Sequence, residues 1–233
     1  MVDYLPKPVR LFDSFGIAPR MIRFFLREKD LDLPRYEVDL MLGENRDPEF
    51  LRVNPTGQTP ALELEDGTII AEAPVICEYI EDVWPTPPLI GATAKDKAIT
   101  KMWFRRVELN ICRPMIHGYY YSDGLETFRT RIRCIPEAAE GLKSQAVDGI
   151  RWLEDHLAGE WIAGPSLTLA DLCLFSYFDD LFEKGQKMPD GCERVSAWYK
   201  RVGSRPAAEQ SLWKWRPAEA VKQPEASPGP LAS

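Results

Sequence analysis

Two short segments of the chain carry the residue types best suited to binding a small ligand. Gln58-Thr59-Pro60 precedes a predicted strand, and Glu72-Ala73 opens a predicted helix about a dozen residues later. An X-Pro bond adopts the cis form at a cost of only about 0.5–1 kcal/mol, so we expect a cis Thr59–Pro60 bond that leaves the Thr59 backbone unpaired at a sheet edge. Such an edge can pair with an extended peptide, and the N–H groups of a first helical turn suit a carboxylate. The pattern predicts a site for a small peptide-like molecule with a carboxylate at one end, although an ordinary turn, hairpin and capped helix would use the same residues.

The number and spacing of the histidines and cysteines argue against a metal site and against a catalytic triad. His117 and His156 are the only histidines and stand far apart in the chain. A zinc site or a Ser-His-Asp triad is therefore not expected, and we expect no metal cofactor. The five cysteines are an odd number without a CxxC pair, which favours a reduced, cytoplasmic chain with free thiols.

The net charge and the lengths of the apolar runs further restrict the kinds of partner that we expect. The 233 residues carry a formal net charge of −7, and such an acidic surface repels phosphate backbones, so nucleic acid is not an expected partner. The first residues contain no apolar core typical of a signal peptide. No apolar run reaches the roughly 20 residues of a membrane-spanning helix, so we expect no membrane partner.

The first part of the chain, residues 1–83, predicts an α/β domain with the order βαβαββα. Apolar alternation in the segment PALELEDGTII indicates two strands, and Asp66-Gly67 supplies the turn of a hairpin between them. Apolar residues at helical spacing follow from Val75 to Val83. In the first predicted helix, Arg20 and Arg23 are expected to lie on a solvated face.

Beyond a predicted linker at 84–97, which is rich in proline, every periodic segment predicts a helix, so 98–215 is expected to be all-helical. Pro114 should bend the first long helix. Thr168 and Asp171 form a capping box, which predicts a helix start and is typically worth about 0.5–2 kcal/mol. The last residues, 216–233, are rich in Pro, Ala and Ser and are expected to form an extended or disordered tail.

The segment NPTGQTPALELEDGTIIAEAPVICEYIED closely resembles the glutathione-binding segment of soluble glutathione S-transferases. Further segments resemble others of the same superfamily in the same order: VDLMLGENRDPEFLRVNP, KMWFRRVELNICRPM, WIAGPSLTLADLCLF and RPAA. Together they cover roughly residues 9 to 207. The resemblance implies a fold of α/β plus all-α type, in which an N-terminal thioredoxin-like domain precedes an all-helical domain. The hydrophobic pattern predicts the same arrangement independently.

The resemblance implies roles for the residues of the first paragraph. Thr59, beside Pro60, would pair through its backbone with the cysteinyl residue of glutathione, and Gln58 would approach the glycyl end. Glu72 would meet the γ-glutamyl amine. The family usually places Ser next, where its hydroxyl and N–H hold the γ-glutamyl carboxylate, but this chain has Ala73. Loss of a hydrogen bond to a charged group weakens binding by about ten- to a hundredfold, unless water or another side chain replaces it.

Such transferases also place a Ser, Cys or Tyr near the end of the first strand, where it favours thiolate over thiol. Ser14 is the only hydroxyl-bearing residue in the loop DSFGIAPRM, and it can be either catalytic or a turn cap. If the loop is aligned from the following helix instead, the catalytic position falls at Ile17 or Ala18 and no hydroxyl remains.

Three further features are weaker candidates for the electrophile pocket. Cys112 and His117 are more typical of core or surface residues. The aromatic run from Tyr119 to Tyr121 is compatible with a substrate pocket or with simple packing.

The resemblance leaves two functions open. The first is an enzyme that conjugates glutathione, as co-substrate, to a small hydrophobic electrophile. The second is a non-catalytic protein of the same fold that binds glutathione or another peptide. In both cases the resemblance implies a homodimer.

Overall fold

The computed structural model describes residues 5–213. Its first elements follow the predicted order, with one extra 3₁₀ turn at Glu44–Arg46. The strands and helices are β1 (Pro8–Asp13), α1 (Ile17–Glu28), β2 (Arg35–Glu37), α2 (Pro48–Val53), β3 (Ala61–Leu64), β4 (Ile69–Ala71) and α3 (Ala73–Val83). The predicted tail at 216–233 lies outside the described residues.

The four strands form one mixed sheet in the order β2-β1-β3-β4. β1 runs parallel to β2 and antiparallel to β3, and β3 runs antiparallel to β4. Leu11 on β1 stands opposite Leu62 on β3, and both are fully buried. A mixed sheet of this order with helices packed on it is the thioredoxin-like arrangement, so the predicted fold class is confirmed.

The predicted hairpin turn lies between β3 and β4. Gly67 has a φ of +83°, which favours glycine, and its N–H donates to the Leu64 carbonyl. The Asp66 carboxylate accepts from the N–H of Thr68 at 2.9 Å. The turn therefore forms from the chemistry that the Asp-Gly pair predicts.

The chain between α3 and the next helix is shorter than the predicted linker at 84–97, because α4 (Ala94–Val107) already begins within it. The N–H of Asp96 donates to Thr93 Oγ1 at 3.1 Å, and the N–H of Thr93 donates to the Asp96 carboxylate at 3.2 Å. This reciprocal cap starts the helix a turn earlier than the apolar periodicity indicates. The division into two domains at this connection stays our interpretation.

All later elements among residues 94–213 are helical. After α4 come a π-helical turn (Glu108–Cys112), α5 (Arg113–Tyr120), α6 (Leu125–Phe128), a short 3₁₀ turn (Pro136–Ala138), α7 (Ala139–His156), α8 (Leu169–Glu183), α9 (Glu193–Gly203) and α10 (Pro206–Gln210). Within the described part of the chain, no helix has the length and apolar character needed to cross a membrane.

A π-helical turn precedes α5 close to Pro114, and the bend that we expect at this proline stays a prediction. Pro114 has no N–H to offer to the carbonyl of Asn110, four residues earlier. Gly149 of α7 approaches that carbonyl so closely that a Cβ atom there would lie 2.3 Å from the Asn110 oxygen. A larger residue at Gly149 would therefore push α7 away from this turn.

Helix α8 is the buried centre of the helical region, as predicted. Two-thirds of its residues are buried, including Leu172, Leu174 and Phe178. Asp171 accepts from the N–H and the hydroxyl of Thr168 at 2.8 and 2.9 Å. The predicted capping partner is thus in place at the start of this helix.

The expectation that Arg20 and Arg23 lie on a solvated face is wrong. Both arginines are buried, with 7% and 4% of their surface exposed. Arg20 donates to Asp179 of α8 at 2.5 Å, and Arg23 donates to the carbonyl of Ser211 at 2.8 Å. Helical periodicity identifies a polar face but not what covers it, and here the helical region covers that face.

Candidate active site

The segment before β3 has the geometry that the sequence predicts. The Thr59–Pro60 peptide bond is cis. Among the described residues, the N–H and carbonyl of Thr59 have no hydrogen-bond partner. The neighbouring carbonyl of Gln58 is held by the side-chain amide of Asn54 at 2.8 Å. A fixed, unpaired backbone amide of this kind can pair with an extended peptide.

The start of α3 provides the second predicted feature. Glu72 precedes the helix with φ +67° and ψ +112°, an uncommon conformation for a residue with a side chain, and such strain costs roughly 1–3 kcal/mol. The N–H groups of Ala73 and Val75 have no partner within residues 5–213, and Pro74 has no N–H. The helix start therefore offers two free N–H groups together with its positive dipole end.

A cleft of about 380 Å³ opens between the sheet-containing region and the helical region. Gln58 and Thr59 lie in its wall. The lining does not include Ser14, Pro60, Glu72 or Ala73, although Glu72 is exposed. The structure thus places two of the predicted site residues in the cleft and the others behind it or outside it.

Ser14 lies directly behind Thr59. It is fully buried, and its hydroxyl is 2.5 Å from the Thr59 hydroxyl and 3.1 Å from the Phe15 carbonyl. The N–H of Ser14 donates to Asp13 at 2.9 Å, and Arg23 donates to both Asp13 and the Ser14 carbonyl. The serine is therefore held firmly against the residue that carries the unpaired backbone.

Burial dominates the electrostatics of this support. It raises the pKa of Asp13 even though Arg23 and Arg35 act in the opposite direction. Burial also lowers the pKa of the Arg23 guanidinium, against the attraction of Asp13. A buried pair of this kind positions the loop in one arrangement rather than serving as an acid or base exposed to a ligand.

Two residues of the cleft wall near the turn at Gly57, Asn45 and Arg46, were not among the site residues predicted from the sequence. The Asn45 amide donates to the Gly57 carbonyl at 2.7 Å, and Arg46 donates to the Thr56 carbonyl at 3.3 Å. Gly57 has a φ of +64°, and a Cβ there would lie 2.7 Å from the Arg46 guanidinium. The Asn-Arg pair in the segment GENRDP was visible in the sequence, but no local pattern indicates that it folds onto Gly57.

The start of α1 also reaches the cleft. Ile17 and Ala18, the positions where the family alignment leaves no hydroxyl, line it together with Gly16. Gly16 caps the helix without a side-chain hydrogen bond, and the N–H groups of Ile17 and Ala18 have no partner among the described residues. A thiolate placed there would be favoured by the helix dipole.

Aromatic residues are the largest group in the opposite wall. Tyr119, Tyr120 and Phe128 line the cleft, and the rings of Tyr120 and Phe128 lie 3.9 Å apart. Burial, together with Asp180 and Tyr119, raises the pKa of Tyr120 to about 12. Its phenol is therefore protonated at neutral pH and can donate a hydrogen bond. Tyr121, by contrast, is not part of the lining.

His117 and Cys112, the other weaker candidates for the electrophile pocket, are not part of the cleft lining. His117 does not line the cleft and stacks on Tyr121 with ring centroids 5.7 Å apart. Cys112 is fully buried, and that burial raises the pKa of its thiol well above the ordinary value. Within residues 5–213, no group of three or more His, Cys, Asp or Glu side chains is arranged to hold a metal ion.

The chain thus combines a thioredoxin-like region, a helical region and a cleft that both regions line. Two family models match the chain: the glutathione S-transferase N-terminal domain over residues 18–83 and the glutathione S-transferase C-terminal domain over residues 136–210. Glutathione S-transferase 2 of Saccharomyces cerevisiae is 31% identical over 202 residues, which cover 84% of this chain and 86% of the yeast protein.

A bacterial relative and a solved structure indicate the same family. Glutathione S-transferase GstA of Escherichia coli O157:H7 is 28% identical over 88% of this chain and 97% of its own length. The crystal structure of Gtt2 from Saccharomyces cerevisiae superposes with a TM-score of 0.79 at 30% identity, covering 88% of this chain and all of that one. The chain belongs to the soluble glutathione S-transferase superfamily.

Proposed function

We propose that the protein binds glutathione and conjugates its thiolate to a small hydrophobic electrophile. One observation gives this proposal its main support. The unpaired Thr59 backbone and the start of α1 open onto the same cleft, whose opposite wall has aromatic residues as its largest group. A peptide thiol and an apolar reactant held on opposite walls meet in the orientation that conjugation requires.

Each part of glutathione has a matching group. The cysteinyl backbone pairs with Thr59, and the glycyl end lies near Gln58 and the cation of Arg46. The γ-glutamyl amine meets the exposed Glu72, and the γ-glutamyl carboxylate takes the free N–H of Ala73. The family resemblance and the unpaired backbone groups at both positions support this placement.

The reaction needs the thiolate form of glutathione. Positive potential at the first turn of α1 lowers the thiol pKa, so that the proton passes to solvent. The sulfur then forms a bond to the electrophilic carbon, and the leaving group departs with its electron pair. The aromatic wall holds the electrophile and excludes water from it.

The test is calorimetric titration with glutathione, followed by a conjugation assay on a panel of electrophiles. Glu72→Gln removes the charge proposed to meet the amine and should weaken glutathione binding about tenfold. Glu65→Gln is the matched control, since Glu65 is an exposed residue near the hairpin turn. Equal affinities for the two variants, or no glutathione binding by the unmodified protein, would refute the proposal.

Ser14 is proposed as the hydroxyl that assists the thiolate, although its burial also fits a purely supporting role. In the first case Ser14→Ala should raise the pKa of bound glutathione and lower its conjugation rate about tenfold, since one hydrogen bond to a charged group is lost. Thiolate absorbance against pH measures this directly. An unchanged thiol pKa with a lower thermal midpoint would show that Ser14 only supports Thr59.

A non-catalytic binder is the second candidate, and two observations favour it. Ala73 supplies no hydroxyl, and the Ser14 hydroxyl is occupied by Thr59 and Phe15 behind the cleft wall. Glutathione binding without conjugation of any electrophile in the panel would identify this function.

We further propose a cytoplasmic homodimer. Support for the dimer comes from the loop after β2, where Met41 and Leu42 leave 74% and 86% of their surface exposed. Large apolar side chains with such exposure are typical of protein contacts. Light scattering of the protein and of a Met41→Ser, Leu42→Ser double variant tests this, with a shift toward monomer expected in the variant.

A further inference from the structure

The cleft carries a charge opposite to that of the protein. The whole chain has a formal net charge of −7. Among the described residues, 5–213, the cleft lining nevertheless contains three cations, Arg46, Arg131 and Lys184, and one carboxylate, Asp180. Low-dielectric walls concentrate such a field and attract anions.

Two of the three cations already have partners. Arg46 lies on the wall proposed for glutathione and donates to the Thr56 carbonyl. Lys184 pairs with Asp180 one turn earlier on α8, and its ammonium lies 5.6 Å from the centre of the Tyr119 ring. Neither side chain is therefore a free cation on the aromatic side of the cleft.

Arg131 is the remaining cation. It is exposed in the segment after α6, on the same wall as Phe128, and makes no ion pair or side-chain hydrogen bond with any residue in 5–213. A guanidinium presents a planar fork that matches a carboxylate or sulfonate. Arg131 therefore offers a cation to a ligand that contacts the aromatic residues of the same wall.

The wall offers several aromatic contacts to a ligand, from rings inclined to one another by 33–73°. Tyr119, Tyr120 and Phe128 are in mutual contact, with ring centroids 3.9–6.1 Å apart. Burial raises the pKa of Tyr120 to about 12. Its phenol therefore stays protonated at neutral pH and can donate a hydrogen bond to a ligand. Among the residues that the structure describes, an aromatic wall of mutually tilted rings therefore adjoins one cation without a side-chain partner, and an aromatic ligand can pack face-on or edge-on against these rings.

We infer that the second substrate is a planar aromatic electrophile that carries an anionic group, and that Arg131 binds that group. This inference rests on the proposed function for the reaction, but the binding of the anion can be measured without it. Arg131 acts here as a specificity residue, not as a participant in bond making.

Binding is tested with 3,5-dinitrobenzoate and its methyl ester, which share a ring and differ in charge. Neither carries a leaving group. We expect Arg131→Gln to weaken binding of the acid about two- to fivefold, the upper part of the range of an exposed ion pair, and to leave binding of the ester unchanged. Arg129→Gln is the matched control, since Arg129 pairs with Glu126 and does not line the cleft.

A second variant predicts a change of the opposite sign. Asp180→Asn releases Lys184 and removes the one carboxylate that the described residues contribute to the lining, so the acid should bind about two- to fivefold more tightly. Raising the salt concentration from about 0.05 to 0.5 M should weaken binding of the acid alone, because exposed charges are screened.

Several outcomes would overturn the inference. These are no binding of the acid, an equal loss for acid and ester in Arg131→Gln, an equal loss in Arg129→Gln, and no gain in Asp180→Asn. A parallel loss of glutathione affinity in Arg131→Gln would also overturn it, because Arg131 would then belong to the glutathione half of the cleft.

Conjugation of 4-chloro-3,5-dinitrobenzoate and its methyl ester separates this inference from the proposed function. Here the glutathione sulfur bonds to the ring carbon that bears chlorine, chloride leaves with the bonding electrons, and the thiol proton goes to solvent. Conjugation of both without an Arg131-dependent preference for the acid refutes the inference alone. An Arg131-dependent binding preference without conjugation of either refutes the proposed activity alone.

Discussion

Ala73 occupies the first position of α3, where a hydroxyl would add one donor to the free N–H groups. Its side chain is almost fully buried, with 5% exposed. The helix dipole and the backbone N–H do not depend on the side chain, so the site retains its attraction for a carboxylate. Affinity for glutathione at this position is therefore expected to be reduced, not abolished.

Ala73→Ser should tighten glutathione binding by up to about tenfold, because a restored, well-aligned hydrogen bond to a charged group is worth ~1.4 kcal/mol. Calorimetric titration measures the gain. Ala94→Ser is the control, since Ala94 is likewise the first residue of its helix but is exposed and remote from the cleft.

The contrary result is also informative. If the new hydroxyl turned into the core it would lie unpaired, and the thermal midpoint would fall while glutathione affinity stayed the same. That outcome would show that the start of α3 does not face the γ-glutamyl carboxylate.

At the scale of single elements, Asp171 does more than cap α8. Besides Thr168 it accepts from the N–H of Ile162 at 2.9 Å and from the indole N–H of Trp198 at 2.8 Å. Asp171 and Trp198 are both fully buried. One carboxylate thereby joins the start of α8, the loop before it and helix α9.

Asp171→Ala should therefore destabilise the protein by about 3 kcal/mol or more, which exceeds the ~0.5–2 kcal/mol of a cap alone, because two buried donors would lose their acceptor. Urea unfolding measures the loss. Asp96→Ala is the control, since Asp96 caps α4 at an exposed site. Equal losses for the two variants would show that the buried donors find other partners.

Glu154 of α7 caps another helix across the fold. It accepts from the N–H of Val195 at 2.8 Å and of Arg194 at 3.0 Å at the start of α9. Desolvation raises the pKa of Glu154, but these bonds and the Arg194 guanidinium outweigh it, so the pKa lies below its ordinary value of 4.5. A lowered carboxyl pKa means that the ionised form stabilises the folded state.

That stabilisation should be fully present above pH 4.5 and should be lost as the pH falls through the lower, folded-state pKa. Glu154→Gln should thus cost about 1 kcal/mol at neutral pH and less in acid. Unfolding free energies at several pH values check this against Glu193→Gln, an exposed acid in the same first turn of α9. A cost that does not shrink in acid would contradict it.

At the scale of the whole molecule, a buried ion pair holds the connection between the two regions. Lys29, the residue that follows α1, pairs with Glu81 of α3 at 2.7 Å, and both side chains are almost completely buried. Lys29 also donates to the carbonyls of Trp84 and Pro87, and Glu81 accepts from the N–H of Ile90. The connection is thus pinned to the sheet-containing region by its own backbone groups.

Lys29→Met should cost about 3–5 kcal/mol, because it leaves Glu81 as a buried charge without its cation. Lys97→Met is the matched control. Lys97 pairs with Asp82, which lies on α3 like Glu81 but at an exposed site, so this variant should cost less than about 1 kcal/mol. Denaturant unfolding compares them. Similar small losses would mean that water reaches Glu81.

The amino-acid sequence alone determined the features that depend on near neighbours. The element order, the Asp66-Gly67 hairpin, the cis bond at Pro60 and the cap between Thr168 and Asp171 each follow from residues within a few positions of one another. The family resemblance also led to Gln58 and Thr59, which the structure places in the cleft.

Only the tertiary structure decided what lies across from each element. Arg20 and Arg23 look solvated in a helical pattern but are covered by α8 and the end of the chain's described part. Arg131, far from Thr59 in sequence, reaches the same cleft only because the helical region packs against the sheet-containing region. Periodicity records which face of an element is polar, whereas the partner of that face is set by packing between segments that are distant in the chain.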